Sequence, residues 1–145
     1  MNSESFTITQ VSWERESERI MMIRKSVFVD EQKVSMEEEL DGLDAQCWFV
    51  LALDQQAKPI GTGRLLPDGK IGRMAVLKSS RGCGVGSALL KALIAVAEAQ
   101  SINELYLHGQ ISAKQFYSKH GFIEEGPIFD EAGIPHVKMR LTRHL

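Results

Sequence analysis

Arg81-Gly82-Cys83-Gly84-Val85-Gly86 places three glycines on alternate positions, after the apolar run Ile71 to Leu77 and before a long amphipathic stretch. Glycine admits positive φ and lets bare backbone approach a ligand, and the first N–H groups of a following helix have no partner within it. The placement therefore describes an anion cradle, and a phosphate or pyrophosphate is the expected guest. The helix dipole contributes only about 0.3–1 kcal/mol at an exposed site, so several convergent N–H groups must supply most of the affinity, with Arg81 and Lys78 assisting. The competing reading is a glycine-rich turn that merely caps a helix.

Spacing separates this loop from two familiar phosphate binders. A Walker loop requires GxxxxGK[ST], and no Gly-Lys-Ser or Gly-Lys-Thr occurs in the chain. A dinucleotide fingerprint requires GxGxxG early in a βαβ unit with an acidic residue about twenty positions on. Here the glycines read GxGxG, lie past the middle of the chain and follow an arginine.

Outward from the loop, short elements follow one another without repeats or linkers. Phe6 to Val11 reads as a strand, and Glu14 to about Asp30 as one helix, with Ile20, Ile23, Val27 and Phe28 recurring at helical spacing. Ser35 to Asp44 turns acidic and reads as a loop. Trp48 to Leu53, Ile60 to Leu66 and Lys70 to Leu77 read as three antiparallel strands, the last two joined at Pro67-Asp68-Gly69. Val85, Leu89, Leu93 and Val96 line a helix reaching to about Gln100, and Leu105 to His108 is a short strand. Ala113, Phe116, Tyr117 and His120 share the face of a helix that stops at Gly121. Phe122 to Glu124 and His136 to Leu141 close the chain around a polar turn at Asp130 to Gly133. The order β-α-β-β-β-α-β-α-β-β predicts an α/β mixed sheet with helices on both faces.

At 145 residues the chain fits one domain, expected to span 1–145. No apolar run approaches the roughly 20 residues of a membrane span, and Met1 to Thr9 lacks the basic-then-apolar pattern of a secretory signal, so a cytoplasmic protein is expected. Cys47 and Cys83 form no disulfide framework and no metal-binding spacing, and no metal is expected. With 17 Lys and Arg against 19 Asp and Glu, the net charge of −2 argues against a protein that tracks nucleic-acid phosphates.

Several separated motifs together resemble the GCN5-related N-acetyltransferases (GNAT), and within them the small bacterial group related to ElaA and YjcF. Arg24-x-x-Val27-Phe28-x-x-Glu31-Gln32 is similar to that group's N-terminal signature, and Glu39, Asp41 and Asp44 to its acidic loop. Gly61-Thr62-Gly63-Arg64 and Ile71-Gly72-Arg73-Met74-Ala75-Val76 resemble its central strands, and Arg81, Gly84 and Gly86 satisfy its [Q/R]xxGxG pyrophosphate loop. Phe116-Tyr117-x-x-x-Gly121-Phe122 and Gly133-Ile134-Pro135-His136-Val137-x-Met139 complete the set, which covers residues 24 to 139. Two positions depart from it. Trp48 stands where the group often has His, and Gly109 where Ala usually precedes Gln110.

The resemblance implies the acyl-CoA N-acyltransferase fold and transfer of an acetyl group from acetyl-CoA to an amine by direct attack. Arg81, Gly82, Cys83, Gly84, Val85 and Gly86 would hold the pyrophosphate. Met74, Ala75 and Val76 would lie on the strand whose backbone pairs with the pantetheine arm and polarises the thioester carbonyl. Tyr117 would face the sulfur and give a proton to the departing thiolate, its alternative being a core aromatic whose hydroxyl finds a partner.

The acceptor must react unprotonated, and an amine with pKa of about 10.4 is neutral in only roughly one molecule in 2,500 at pH 7. A base or water relay can add about 10²–10⁴ in rate. Glu31, Glu39 and Asp41 are the carboxylates the resemblance puts beside the acceptor cleft with Phe28. Glu31 is the first choice for substrate contact and for the catalytic base, against the alternative of a solvated acidic loop. His108 and Gln110 fall at the end of the strand that opens the site, and His136 suits proton relay or a structural role. Arg24, Arg64 and Arg73 would anchor acidic residues or a substrate anion. The acceptor is expected to be a small amine or a peptide amine, and a homodimer is possible on this reading. The alternative function is a non-catalytic acyl-CoA-binding or sensing module of the same fold.

Overall fold

The computed structural model describes residues 6–142; residues 1–5, which begin the segment read above for a secretory signal, and residues 143–145 lie outside the described residues. Seven strands form one sheet in the order β1-β2-β3-β4-β5-β7-β6. They are β1 (Phe6–Val11), β2 (Trp48–Asp54), β3 (Pro59–Leu65), β4 (Lys70–Val76), β5 (Glu104–Gln110), β6 (Ile123–Glu131) and β7 (Ile134–Thr142). Neighbours run antiparallel except β4 and β5, which are parallel and joined through a helical crossover.

Alternation along β2 shows why helices cover both faces. Phe49 and Leu51 pack with Ile20, Ile23 and Val27 of the first helical stretch, whereas Val50 and Ala52 pack with Leu89, Leu90 and Leu93 of α3 (Val85–Ala99). The leucines of α3 are fully buried, each worth roughly 1.5–3 kcal/mol of apolar transfer. Two glycines set how near α3 lies. A Cβ on Gly63 would sit 2.8 Å from Leu93 Cδ1, and one on Gly61 2.9 Å from Leu89 Cδ1.

The long first helix expected over Glu14 to Asp30 changes character along its length. α1 (Trp13–Arg24) is capped by Ser12 Oγ, which accepts from the Arg15 N–H at 3.3 Å, and it continues as a π-helical segment over Lys25–Glu31. The wider turns seat Val27 in the core and carry Phe28 and Gln32 to the cleft described below.

The expected acidic loop holds α2 (Met36–Glu39), begun by Ser35, whose Oγ accepts from the Glu38 N–H at 3.1 Å. That spacing is a capping box, a helix signal present in the sequence. α4 (Lys114–Lys119) ends at Gly121, where φ is +92°. β6 and β7 extend well beyond the short closing strands expected, because the hairpin between them turns only at Ala132-Gly133. Among the described residues, no helix is long and apolar enough to cross a membrane.

Candidate active site

The sheet opens at its parallel pair. β4 and β5 are in register only at Lys70 with Tyr106 and Ile71 with Leu107, after which they diverge. From Gly72 to Val76, β4 keeps β3 on one side and leaves its other edge without a strand. The β3–β4 ladder also slips, from Thr62 opposite Ala75 to Arg64 opposite Gly72, and Arg73 takes φ of +49°. This is a bulge in β4 beside the opening, the kind of irregularity that frees backbone groups from a ladder.

The divergence creates a cleft of about 460 Å³. Met74 of β4 and Tyr117 of α4 line it. Phe28, Glu39 and Asp41 form one wall, and His108, Gln110 and His136 belong to the wall made by β5 and β7. Arg73, expected to anchor acidic residues or a substrate anion, lines it too, as do Gln32, Lys70 and Glu131, to which sequence reasoning gave no place there. Gln32 is held by Gln110, whose Nε2 donates to Gln32 Oε1 at 2.9 Å.

The glycine loop has the backbone of an anion cradle. Gly82 and Gly84 take φ of +80° and +85°, and a Cβ on either would meet nothing within 4 Å, so the space above them is open. Gly84 begins α3 without a side-chain cap, and the first bond from this turn is the Ala88 N–H to the Gly84 carbonyl. The N–H groups of Val85, Gly86 and Ser87 consequently remain available at the helix start. Cys83 sits among them with its Sγ 3.8 Å from the Arg81 carbonyl. Gly86 lies under Phe116, and Ser87 Oγ and His120 Nε2 share a hydrogen bond of 2.9 Å that ties the loop to the end of α4. These residues fit a pyrophosphate group through their backbone.

Arg81 has a different occupation from the one expected. Its Nε donates to the Val76 carbonyl at 2.9 Å, and its two terminal nitrogens donate to Glu31 at 2.6 and 2.7 Å. Glu31 is thereby placed outside the cleft, and the hydrogen bond from Arg81 holds its carboxyl below the usual range. A carboxylate so engaged is a poor proton acceptor, which weighs against the expectation of a base at Glu31. Of the other expected cofactor contacts, Ala75 turns its side chain into the core on the α1 side, so only its backbone could serve a ligand.

The acidic wall is likewise bound up with arginine. Arg24, with no exposed surface, donates to Glu39 at 2.5 Å and to Asp44 at 2.7 Å. Arg64 reaches Asp44 at 2.8 Å and pairs with Asp41, and Arg73 lies 3.0 Å from Glu39 and 3.4 Å from Asp41. Burial works to raise the Asp41 pKa, but the hydrogen bonds from Arg64 and the Leu43 N–H, with the charges of Arg64 and Arg73, bring it far below the carboxylate range. These arginines anchor the acidic segment rather than stand free for a substrate anion. Trp48 packs against the α3 side of the core, away from the cleft.

Tyr117 carries the most perturbed group on the cofactor side. Burial pushes its phenol up to about 12, and its hydroxyl has no hydrogen-bond partner among the described residues. Its ring packs edge-on to Phe116 and Phe122, and Gly109 passes close behind it: a Cβ there would lie 3.1 Å from Tyr117 Cδ2. Among the described residues, no group of three or more His, Cys, Asp and Glu side chains is arranged to hold a metal ion.

A splayed parallel pair, a bulged β4 and a glycine loop at the head of α3 define the acyl-CoA N-acyltransferase class of fold. The crystal structure of an acyl-CoA N-acyltransferase from Pseudomonas aeruginosa superposes with a TM-score of 0.83 at 26% identity, covering 97% of this chain and 100% of that one. Escherichia coli ElaA shares the fold, with a TM-score of 0.84 at 24% identity over 95% of this chain and 99% of its own. In sequence, the N-acetyltransferase YjcF of Bacillus subtilis strain 168, itself uncharacterized, is 40% identical over 121 residues, covering 81% of this chain and 86% of that protein. The acetyltransferase (GNAT) domain model matches residues 9–143, and the chain belongs to that family. Membership in that family supports acyl transfer as its general activity.

Proposed function

We propose that this protein transfers an acetyl group from acetyl-CoA to a primary amine of a small molecule or peptide, by direct attack of the amine on the thioester. The observation that carries the reading is the divergence of β4 from β5 beyond Ile71 and Leu107. It leaves a strand edge able to pair with an extended pantetheine arm, running from the open cradle at Gly82 and Gly84 to the Tyr117 hydroxyl. Backbone N–H groups at the β4 bulge are candidates to stabilise the developing oxyanion, for which donors must lie about 2.7–3.1 Å from its position. Tyr117 would donate a hydrogen bond to the sulfur as the C–S bond breaks. A cytoplasmic setting, in which Cys47 and Cys83 stay reduced, accords with this reading.

Calorimetry with acetyl-CoA tests the cofactor half, comparing wild type with a Gly84→Asp, Gly86→Asp double variant that puts two carboxylates in the cradle. Micromolar binding lost in the variant is the expected result. Acceptor-dependent release of CoA across a panel of primary amines tests the other half. Tight binding without release for any amine would replace catalysis by an acyl-CoA-sensing role.

A further inference from the structure

We infer that Glu131 and His136 form the notch that receives the acceptor ammonium, with Glu131 Oε2 holding the cation and His136 Nε2 taking its proton. The inference rests on the acetyl-transfer reading above and names the base that reading requires. The carboxylates expected beside the acceptor are already engaged: Glu31 by Arg81, Glu39 by Arg24 and Arg73, Asp41 by Arg64 and Arg73. Glu131 differs from them. Among the described residues, its neighbours at ion-pair distance are two histidines, His108 Nδ1 at 2.9 Å and His136 Nε2 at 3.9 Å.

The second of those distances has a chemical reading. His136 Nδ1 lies 2.6 Å from the Ile134 carbonyl, which can only accept, so Nδ1 carries the proton and the neutral ring keeps its lone pair on Nε2. Glu131 Oε2 is also an acceptor. Two lone-pair atoms thus face each other across a gap too long for one hydrogen bond. A single ammonium nitrogen at about 2.8 Å from each can donate to both. His108 Nδ1–H donates to the other Glu131 oxygen and is a positioning residue, while Phe129 lies edge-on to His108 and stacked on His136, fixing both rings. His136 is 6% exposed, stands opposite Gln110 at the end of β5, and lines the same cleft as Met74.

The step balances as follows. One N–H bond of the ammonium breaks and its proton passes to His136 Nε2, giving imidazolium. The freed nitrogen lone pair forms a bond to the thioester carbonyl carbon, and the C–S bond then breaks with its electron pair leaving on sulfur. The second nitrogen proton goes to the thiolate, and the imidazolium returns its own to solvent. The charged and titratable groups lining the cleft with His136 are Glu131 on β6, His108 on β5, Lys70 on β4, Tyr117 on α4, Glu38 on α2, and the paired Arg64–Asp41 and Arg73–Glu39.

Nitrogen-15 NMR of histidine in the CoA-bound protein at pH 8 tests the notch without a known acceptor. His136 is expected as the Nδ1–H tautomer, with its Nε2 resonance moving on titration with n-butylamine and requiring about tenfold more amine in Glu131→Gln. An Nε2–H tautomer, or an Nε2 resonance indifferent to amine, overturns the inference. With an acceptor from the screen above, His136→Gln should lose about 10²–10⁴ in kcat while binding acetyl-CoA within twofold of wild type. Its kcat/KM should climb tenfold per pH unit toward the pKa of the amine, where wild type levels off, because the variant can use only the neutral amine. Wild-type pH behaviour and rate in His136→Gln would equally overturn the inference. Failure of wild type to bind acetyl-CoA would instead remove the acetyl-transfer reading itself.

Discussion

Replacing Tyr117 by Phe removes one oxygen and leaves the ring contacts with Phe116 and Phe122 in place, so it isolates what the hydroxyl does. The structure limits how large the effect can be. With the phenol near 12 and a thiol near 8.5, complete proton transfer to the thiolate is uphill by about 3.5 pKa units, or about 5 kcal/mol. On the acetyl-transfer reading, Tyr117 would then serve the departing sulfur as a hydrogen-bond donor while the C–S bond breaks. A hydrogen bond to a charged group is worth about 1.5–3 kcal/mol, which predicts a fall in kcat of roughly 10- to 150-fold. The assay is thiol-detected CoA release at saturating acceptor, with calorimetry to show an acetyl-CoA Kd within twofold of wild type. Because the phenol stays protonated, Tyr117 should add no descending limb to the wild-type profile below pH 10. A Phe variant within threefold of wild type would falsify the hydrogen-bond role. A loss of 10⁴ or more, or a descending limb near pH 9 that vanishes in the variant, would show instead that full proton transfer occurs.

Further outcomes follow from the packing and the ion pairs. Arg24→Met should cost about 3 kcal/mol, the low end for breaking a buried pair because Arg73 and Arg64 still face Glu39 and Asp44, and should lower Tm by about 6–12 °C; an unchanged urea midpoint would contradict this. Asp41, whose pKa is depressed on folding, contributes stability that is complete above its unfolded value of about 3.9 and is lost as pH falls below it. Asp41→Asn should accordingly flatten the drop in Tm between about pH 4 and pH 2, and a variant as acid-sensitive as wild type would count against the linkage. Gly63→Ala should destabilise by about 1–3 kcal/mol in urea unfolding, since its methyl would meet Leu93 at 2.8 Å. Gly109→Ala should push the Tyr117 ring and reduce kcat by about three- to tenfold with little change in acetyl-CoA affinity; a crystal structure with the ring unmoved at full activity would refute it.

The strands, the two long helices and the glycine loop were legible because each is a local pattern: period two, period 3.6, or Gly at a strand-to-helix turn. The Ser35-x-x-Glu38 spacing was also legible but was outweighed by the acidic run around it, which reads as loop. What a sequence does not display is which distant partner a charged side chain will choose. Arg81 and Glu31 are 50 positions apart, Arg24 and Asp44 are 20, and Glu131 and His108 are 23. Residue type and the family resemblance together made Glu31 a base candidate, and only the fold brings it to a guanidinium. Glu131 gave no signal, since an acidic residue before a Gly turn is ordinary; its setting depends on two histidines from different strands. The π-helical turn at Lys25–Glu31 was hidden for a related reason, because its apolar spacing differs little from that of an α-helix over one turn.

The arginine-carboxylate wall also governs how partners arrive. Arg24, Arg64 and Arg73 carry three positive charges within a few ångströms of the three negative charges on Glu39, Asp41 and Asp44, so these six groups together have almost no monopole to project into solvent. Beyond a Debye length of about 8 Å at physiological ionic strength, an approaching amine feels little of it. Steering of a cationic acceptor is then left to the carboxylates outside these pairs, Glu37 and Glu38 on α2, and its kcat/KM should fall only modestly from low to high salt. The wall stiffens the cleft without making it an electrostatic funnel, and discrimination among amines is left to contacts made after arrival.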